Sequence, residues 1–395
     1  MTLPLAGLRV LDLTQVFAMP GAGMYLADQG ADVIKIEPPT GDTGRSVFTM
    51  APIKNESRAF WVLNRNKRSV VIDLQKPAGR ALIHRMARDA DVFIHTQRIG
   101  TDKKLGIDYE TIRGINPRII YVGFTAYGKQ GPLAKLRGYD LLVQGLSGMS
   151  GRRRMPNGKP RLSGIWAIDL AASVIVPYAI VLALRHRDAT GEGQQIDSSL
   201  LHTAVALQMV DLVRVQGHTD PPGSTDALAQ ATYGSYECAD GEYVQVAIAS
   251  DVEWRNLCRA TGQEPLIDDP RYKDNAGRLE NSDDLWGIFT DIFKSRTAKA
   301  WSEIFVQHDV PGIHVLPPQE VFEHPQALAN DVFLDIDQPG IGRTRMSNIP
   351  FRFEKIGGHR FTPAPALGQH TDEVLREMGL EAAEIASLRD NGVIK

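Results

Sequence analysis

The most conspicuous chemical group in the sequence is one carboxylate inside an apolar stretch. Residues 165–184 read IWAIDLAASVIVPYAIVLAL, and Asp169 carries their only charge. An unpaired carboxylate in apolar surroundings is costly, but at the first turn of a helix the exposed backbone amides and the helix dipole can keep it ionised. A partly desolvated carboxylate is a competent nucleophile toward an activated acyl carbon. The other interpretation is a plain helix N-cap, the most common role of aspartate at such a position, and the residues alone leave both open.

Basic residues gather where a ligand's phosphates could bind. Lys67-Arg68 precedes a predicted strand, while Arg98 and Lys103-Lys104 follow another, at a sheet edge. A third run, Arg152, Arg153 and Arg154, lies in a glycine-rich loop and could clamp an anion or simply be solvated. From composition alone, solvated surface charge is the more common explanation for all three groups.

The familiar catalytic motifs are missing. Gly21-Ala22-Gly23 suggests a dinucleotide fingerprint, but that pattern requires a third glycine where Leu26 stands, and close packing explains the two glycines equally well. The sequence has no GxSxG, HExxH or GxxxxGK[ST] motif, and its ten histidines lack metal-ligand spacing. We therefore expect no metal and no tightly bound cofactor.

Composition narrows the partners and the compartment. The net charge of −3 over 395 residues creates no field that favours nucleic acid or an anionic membrane surface. Two cysteines, Cys238 and Cys258, form no disulfide framework, and the amino-terminal residues lack the features of a signal peptide, so we expect a cytoplasmic protein. The apolar stretch at 165–184 is long enough to cross a bilayer, but it contains Asp169 and Pro177, which favours a buried core helix.

The elements that must position these groups alternate between strands and helices. Such alternation, with nearly continuous apolar strands, predicts an α/β, doubly wound, Rossmann-like sheet. The predicted strands are 8–14, 32–37, 69–74, 91–95 and 118–124, and the predicted helices of this part are 21–29, 77–89, 168–187 and 198–217.

A change of composition predicts a second domain. Residues 217–232 are rich in Pro, Gly, Ser and Thr and are predicted to form a linker. Residues 233–328 follow with two strands around a turn at Asp240-Gly241 and helices at 251–261, 282–293 and 299–308, which predicts a smaller α+β domain. We thus expect residues 1–216 to form a large domain, and residues 329–395 to form a separate tail with its own turn residues and a final helix.

Five segments resemble a known family in order along nearly the whole chain. They are PLAGLRVLDLTQVFAMPGAGMYLADQGADVIKIEPPTGDTGR, NRNKRSVVIDL, GYDLLVQGLSGMSG, IDLAASVIVPYAIVLALRHRDATGEGQQIDSSL and PAPALGQHTDEVL. Together they resemble the class III coenzyme A transferases of the CaiB/BaiF type, which include formyl-CoA transferase.

The resemblance implies a fold and an assembly. A large Rossmann-like domain would be formed by both ends of the chain, with a small domain inserted in it, and two subunits would interlock as a homodimer.

The resemblance also implies roles for individual residues. Asp169, in the pair that opens the long helix, matches the family's nucleophile, and Phe17 and Tyr139 would lie in the acyl pocket. The residues expected to bind CoA are Gln15, Val16, Ala18, Lys67, Arg68, Thr96, Gln97, Arg98 and Lys104. Thr96-Gln97 replaces the usual Asn-Phe, so side-chain contacts there should differ. The small-domain segment LAQATYGSYECADG lacks the glycine run that covers the formyl-CoA transferase site, so this site must close differently.

The implied reaction moves CoA from an acyl-CoA to a free carboxylic acid through aspartyl-anhydride and aspartyl-CoA thioester intermediates. The family also contains α-methylacyl-CoA racemases, which use a histidine where this chain has Tyr139, a poor base near neutrality because its solution pKa is about 10. A transferase is therefore favoured over a racemase. The third alternative is a CoA-binding subunit without catalysis, and the retained Asp169 argues against it.

Overall fold

A parallel β-sheet is the centre of the fold. The structure, a computed structural model, describes residues 2–46, 57–151, 158–218 and 230–395. In these residues six parallel strands pair in the order β3-β2-β1-β4-β5-β6. Their bounds are β1 Arg9–Leu13, β2 Asp32–Glu37, β3 Arg68–Val71, β4 Val92–His95, β5 Ile120–Thr125 and β6 Gln194–Ser199. The order reverses between β1 and β4, and ligands of doubly wound sheets bind at the carboxyl ends of the strands at such a point.

The remaining strands form two small antiparallel sheets. β7 Tyr233–Glu237, β8 Tyr243–Ala247 and β9 Gly312–His314 make one, and β10 Phe333–Gln338 and β11 Gly342–Ser347 the other. The α-helices are α1 Ala18–Asp28, α2 Arg58–Asn64, α3 Pro77–Ala87, α4 Thr101–Leu105, α5 Tyr109–Ile115, α6 Asp140–Leu146, α7 Ala167–Thr190, α8 Leu200–Ala206, α9 Asp251–Ala260, α10 Asn275–Glu280, α11 Ser282–Phe293, α12 Ala298–Gln307, α13 Pro325–Ala329, α14 Thr371–Glu377 and α15 Ala382–Asp390.

Helices cover both faces of the parallel sheet. Alternate strand residues point to opposite faces, so Val10 and Val92 pack with α1 and α7, while Leu11 and Phe93 pack with α3, α5, α14 and α15. This double covering explains why the strands are almost continuously apolar. The fold is therefore mixed α/β with a central parallel sheet.

The chain divides into two compact units. One comprises Met1–Arg214 with Asp331–Lys395, and the other comprises Val215–Asn330. The boundaries predicted from the sequence are 216, 232 and 328. Most of the predicted linker, 217–232, lies outside the described residues. The smaller unit has its own core of aromatic residues, including Trp254, Phe289 and Phe293.

The helix predicted at 198–217 is correct only for residues 200–206. Residues 198 and 199 end β6, α8 ends at Ala206, and residues 207–218 are turns and irregular backbone. β6 was missed because its sequence, QQIDSS, has only one apolar residue and so lacks the apolar run of an interior strand.

The prediction of a core helix at 165–184 is only half right. One side of α7 packs on the sheet and α1 through residues such as Ile168, Ala172 and Ile180. The other side exposes Val174 and Tyr178, which are 52% and 66% accessible. In the described part of the chain, α7 is the one helix long and apolar enough to cross a membrane.

Candidate active site

Two loops at the carboxyl ends of β1 and β4 enclose a cavity of about 470 Å³. Asp169 lines this cavity together with most of the residues singled out from the sequence. These are Gln15, Val16, Phe17 and Ala18 after β1, Thr96, Gln97 and Arg98 after β4, and Tyr139 before α6. The structure thus brings together residues separated by up to about 150 positions in the chain.

Asp169 lies in the first turn of α7 and is nearly enclosed. The residue is 9% exposed, and burial raises the pKa of its carboxyl group to about 7, with the nearby Asp140 carboxylate adding to the shift. In the described residues, no donor forms a hydrogen bond with this carboxylate. Its oxygens are therefore open toward the cavity and poorly solvated, as a nucleophile requires.

Asp140, not Asp169, satisfies the amides that open α7. Its Oδ2 accepts hydrogen bonds from the N–H groups of Ile168 and Asp169 at 2.8 and 3.0 Å, and Gln144 donates to its Oδ1. The N-cap interpretation of Asp169 is therefore wrong, and so is the expectation that those amides hold its carboxylate ionised. The sequence could have suggested Asp140, because GYD precedes an apolar helical segment, but only the fold brings its side chain to a helix that begins 27 positions later.

The turn from β1 into α1 forms another part of the cavity wall. Phe17 stacks on Trp166, which immediately precedes α7, with ring centroids 4.9 Å apart. The side chain of the N-cap residue Phe17 does not cap α1, and the first two residues of that helix, Ala18 and Met19, line the cavity. Backbone amides at the start of a helix can stabilise a developing oxyanion.

Gly21 allows α1 and α7 to approach closely. A Cβ at this position would lie 2.4 Å from Ser173 Oγ, which donates to the carbonyl oxygens of Ala18 and Asp169 at 3.0 and 2.9 Å. Likewise, a Cβ at Gly23 would lie 2.7 Å from Asp12 Oδ2. Both glycines of the apparent dinucleotide fingerprint therefore serve packing inside the protein.

His95 supports the segment that follows β4. Its pKa is lowered to about 4 by burial, so the ring is neutral near pH 7. The Tyr121 hydroxyl donates to the Ile107 carbonyl at 2.7 Å, which leaves His95 Nε2 to donate to Tyr121 Oη at 2.9 Å. Nδ1 then accepts from the Gln97 N–H at 3.1 Å. The histidine thereby fixes the backbone at Gln97, between Thr96 and Arg98.

The expectation that Lys67 and Arg68 bind CoA is corrected by the structure, because neither residue lines the cavity. Lys67 is fully buried and its Nζ already has three acceptors, Asp12 Oδ2, the Pro20 carbonyl and Asn64 Oδ1, at 2.7 to 2.9 Å. Burial lowers its pKa to about 8 even though Asp12 opposes the shift.

Arg68 starts β3 and pairs with Asp32, at the start of β2, and with Glu377. Because the strands are parallel, the amino ends of β2 and β3 lie at the edge of the sheet opposite the cavity. The sequence showed that Arg68 lies next to a strand, but it did not show that this end of the strand faces away from the cavity.

Two other predicted groups stand apart from the cavity lining. Lys104 is exposed on α4, one turn after the cavity residue Thr101. Arg152, Arg153 and Arg154 lie outside the described residues.

A second cavity, of about 450 Å³, shares Gln15, Gln97 and Thr101 with the first. It extends along the carboxyl ends of β2 and β3, lined by Pro38-Thr40 and Asp73-Gln75 among others. The sequence analysis missed these residues, although the rule that ligands bind beyond the carboxyl ends of parallel strands could have found them. The two cavities are therefore neighbours at the sheet edge, with Gln15, Gln97 and Thr101 lining both.

The described residues contain no cluster of three His, Cys, Asp or Glu side chains that could hold a metal ion. What they offer is one desolvated carboxylate, helix-start amides and two neighbouring cavities.

Comparison with known proteins identifies the family. The model of CoA-transferase family III matches residues 5–371. Succinate–glutarate CoA-transferase of Agrobacterium fabrum is 35% identical over 392 residues, covering 95% of this chain and 96% of that protein. Human succinyl-CoA:glutarate CoA-transferase is 32% identical over 397 residues, covering 99% and 90%. The crystal structure of a CaiB/BaiF family protein from Brucella suis matches with a TM-score of 0.82 at 28% identity, covering 96% and 100%. The chain therefore belongs to CoA-transferase family III and is a CoA-transferase that uses CoA thioesters as substrates.

Proposed function

We propose that the protein moves CoA from an acyl-CoA donor to a free carboxylic acid through covalent intermediates on Asp169. The observation that carries this proposal is the position of Asp169: a desolvated carboxylate that lines the same cavity as the first residues of α1, a helix with no side-chain cap. A carboxylate with few hydrogen-bond donors retains its nucleophilicity, and helix-start amides favour negative charge on the attacked carbonyl.

The steps exchange one activated acyl group for another. Asp169 attacks the donor thioester carbonyl, the C–S bond breaks, and an aspartyl-acyl anhydride and CoA thiolate form. The thiolate attacks the aspartyl carbonyl, which releases the donor acid and leaves an aspartyl-CoA thioester. The acceptor carboxylate attacks that thioester and expels the thiolate, which then attacks the acceptor carbonyl of the new anhydride. Asp169 is regenerated, and no proton or electron is gained or lost.

The acyl groups we propose are short dicarboxylic acids of the succinate and glutarate type. Two relatives that cover almost the whole chain carry these acids in their names. Arg137 lines the same cavity as Asp169 and adds positive charge there. A screen of acyl-CoA donors against carboxylic acids, analysed by mass spectrometry, tests this choice, and transfer confined to monocarboxylic acids would contradict it.

The second part of the proposal is that the protein acts as an interlocked homodimer. The exposed apolar side of α7 continues onto α6, with Leu141 and Leu142, and onto residues after α8, with Met209 and Val210. These side chains are 50% to 84% accessible, whereas soluble monomers rarely expose so large an apolar patch. A second copy of the chain would cover it.

Trapping tests the covalent mechanism directly. Incubation with donor and hydroxylamine should convert Asp169 to its hydroxamate, located by peptide mass spectrometry, and Asp169→Asn should abolish both labelling and turnover. Asp188→Asn, an exposed aspartate on the same helix, is the matched control and should behave as the wild type. Continued transfer without label at Asp169 would overturn the proposal.

A racemase is not favoured by the relatives, which are named CoA-transferases. Rapid deuterium wash-in at the α-carbon of an acyl-CoA, without an acceptor acid, would nevertheless reopen that alternative.

A further inference from the structure

Val16 has a backbone conformation that its side chain disfavours. Its φ is 74°, in the left-handed region, where a β-branched residue is a genuine outlier. Strained residues of this kind persist only where their surroundings hold them, and they cluster at functional sites. Val16 lines the cavity of Asp169, between Gln15 and Phe17. Some neighbouring group must therefore hold this turn.

Asp42 and the residues after it make the contacts that hold the turn. Asp42 Oδ1 accepts hydrogen bonds from the N–H groups of Val16 at 3.0 Å and Gly44 at 2.7 Å. The adjacent Thr43 hydroxyl donates to Gln15 Oε1 at 3.2 Å. Residues 42–44 thus contact two consecutive residues of the cavity wall.

Lys35 orients Asp42 from inside the sheet. Its Nζ lies 2.7 Å from Asp42 Oδ2 and donates to the Thr14 carbonyl at 3.0 Å, and the two side chains of the pair are 0% and 1% exposed. Burial by itself lowers the pKa of Lys35, but the carboxylates around it, Asp42 first, outweigh burial and leave the pKa raised. A buried ion pair contributes little more to stability than apolar residues of equal volume, so its presence favours a role in orientation.

We propose that Asp42, oriented by Lys35, is a positioning residue for CoA transfer: it locks the left-handed Val16 turn that presents Gln15 and Phe17 to the reacting thioester. The proposal rests on the transferase reaction proposed above. Phe17 stacks on Trp166 at the start of α7, so relaxation of the turn would move one wall of the cavity relative to Asp169.

A double-mutant cycle with Val16→Gly distinguishes this role from general stabilisation. Asp42→Ala should lower kcat/KM for the acyl-CoA donor by roughly 10- to 100-fold, the range that the strain of one left-handed residue corresponds to. Glycine adopts positive φ freely, so the double variant Asp42→Ala/Val16→Gly should recover at least about fivefold over Asp42→Ala. In thermal stability the relief of strain and the larger entropy that glycine gains on unfolding oppose each other, so the recovery is measured by kcat/KM. A merely structural role predicts instead that an equally buried control ion pair, when broken, lowers activity as well.

Asp28→Ala is the matched control. It unpairs Arg65, whose Nη2 lies 2.7 Å from Asp28 Oδ2, in an equally buried ion pair at the far end of α1. It should lower stability with less than a threefold change in kcat/KM, which would show that the loss of a buried ion pair does not by itself lower activity. If Asp42→Ala does not fold, the same cycle uses Asp42→Asn, which keeps an acceptor for the Val16 amide but loses the charge that Lys35 orients.

Two readouts separate this inference from the proposed reaction. If the wild type forms the Asp169 hydroxamate and Asp42→Ala transfers CoA normally, or if the double variant is no better than Asp42→Ala, the inference fails while the reaction stands. If the wild type forms no hydroxamate, the proposed reaction fails, but the turn can still be tested by CoA binding. The CoA dissociation constant is then compared among the wild type, Asp42→Ala, Val16→Gly and the double variant. Equal CoA affinity in these four proteins would overturn the inference in that case too.

Discussion

A carboxylate with a raised pKa destabilises the folded protein wherever it is charged. The pKa of Asp169 is about 7 in the folded chain, against 3.8 for an aspartate fully exposed to water, chiefly because the side chain is buried. Between these values the folded state binds the extra proton, so this group's contribution to stability falls as pH rises from about 4 to about 7 and is constant above. The cost at pH 8 is at most on the order of 4 kcal/mol.

Asp169→Asn should therefore be more stable than the wild type at pH 8, because it removes the buried charge. The gain in melting temperature should be a few degrees at pH 8 and should shrink toward zero near pH 4.5. Differential scanning fluorimetry across this range checks it, with Asp188→Asn as the control that shows no such trend. A lower melting temperature for Asp169→Asn at every pH would contradict the raised pKa.

Asp140 tunes the nucleophile through charge as well as through hydrogen bonds. The nucleophile must be ionised, so kcat/KM should fall below a pH of about 7 in the wild type. Asp140→Asn keeps an oxygen for the amides of Ile168 and Asp169 but removes the neighbouring negative charge, so the acid limb should move to lower pH. The pH profile of kcat/KM measures this.

Asp140→Ala separates the two contributions of this residue. It removes the hydrogen bonds along with the charge and should lower the melting temperature, since loss of a helix cap costs about 1 kcal/mol. If the low-pH side of the kcat/KM profile is unchanged in Asp140→Asn, the charge of Asp140 does not influence the pKa of Asp169.

At the scale of elements, the site depends on the close packing of α1 on α7. Gly21→Ala would place a Cβ 2.4 Å from Ser173 Oγ, and the two helices would have to separate. Because one helix carries Asp169 and the other begins at the cavity wall, we expect both stability and kcat to fall, with a loss of about 1–3 kcal/mol in unfolding free energy. Chemical denaturation and steady-state kinetics test this.

Gly287→Ala is the control for that substitution. Gly287 is exposed on α11 in the smaller unit, and a Cβ there meets nothing within 4 Å. It should stabilise the protein by up to about 1 kcal/mol through helix propensity, without changing kcat. Equal effects of the two substitutions would show that the contact with Ser173 is not limiting.

At the scale of the whole molecule, the proposed dimer rests on the exposed side of α7. If a second copy covers it, Val174→Glu should weaken or abolish the dimer, since it would bury a charge in an apolar interface. Sedimentation velocity should show a loss of the dimer in this variant. Val306→Glu, at a valine that is 82% exposed on α12, is the control and should leave the dimer intact.

Interlocking adds a kinetic prediction. Two tagged forms of the wild type, mixed while native, should exchange subunits far more slowly than after unfolding and refolding together, because linked chains must open to separate. Native mass spectrometry follows the exchange. A wild type that is monomeric at micromolar concentration, or that partitions into vesicles through α7, would contradict the dimer.

The sequence by itself determined the periodicity of the elements, the parallel sheet and the identity of Asp169 as the unusual charge. Apolar runs and turn residues can be recognised from neighbouring residues alone, and the five segments that resemble the family can be recognised by their order along the chain. For the same reason β6 was missed: QQIDSS has no such run, and its pairing with β5 follows from the sheet, not from its own residues.

Only the tertiary structure decided which groups meet. In the folded chain the first amides of α7 donate to Asp140, and Lys67 is enclosed by three acceptors. Arg68 lies at the end of the sheet away from the cavity, and Asp42 accepts a hydrogen bond from the strained Val16. These are contacts between residues far apart in sequence, and they depend on strand direction and helix approach. No local pattern records that geometry, because the free energy of a buried charge is set by the partners that folding brings to it.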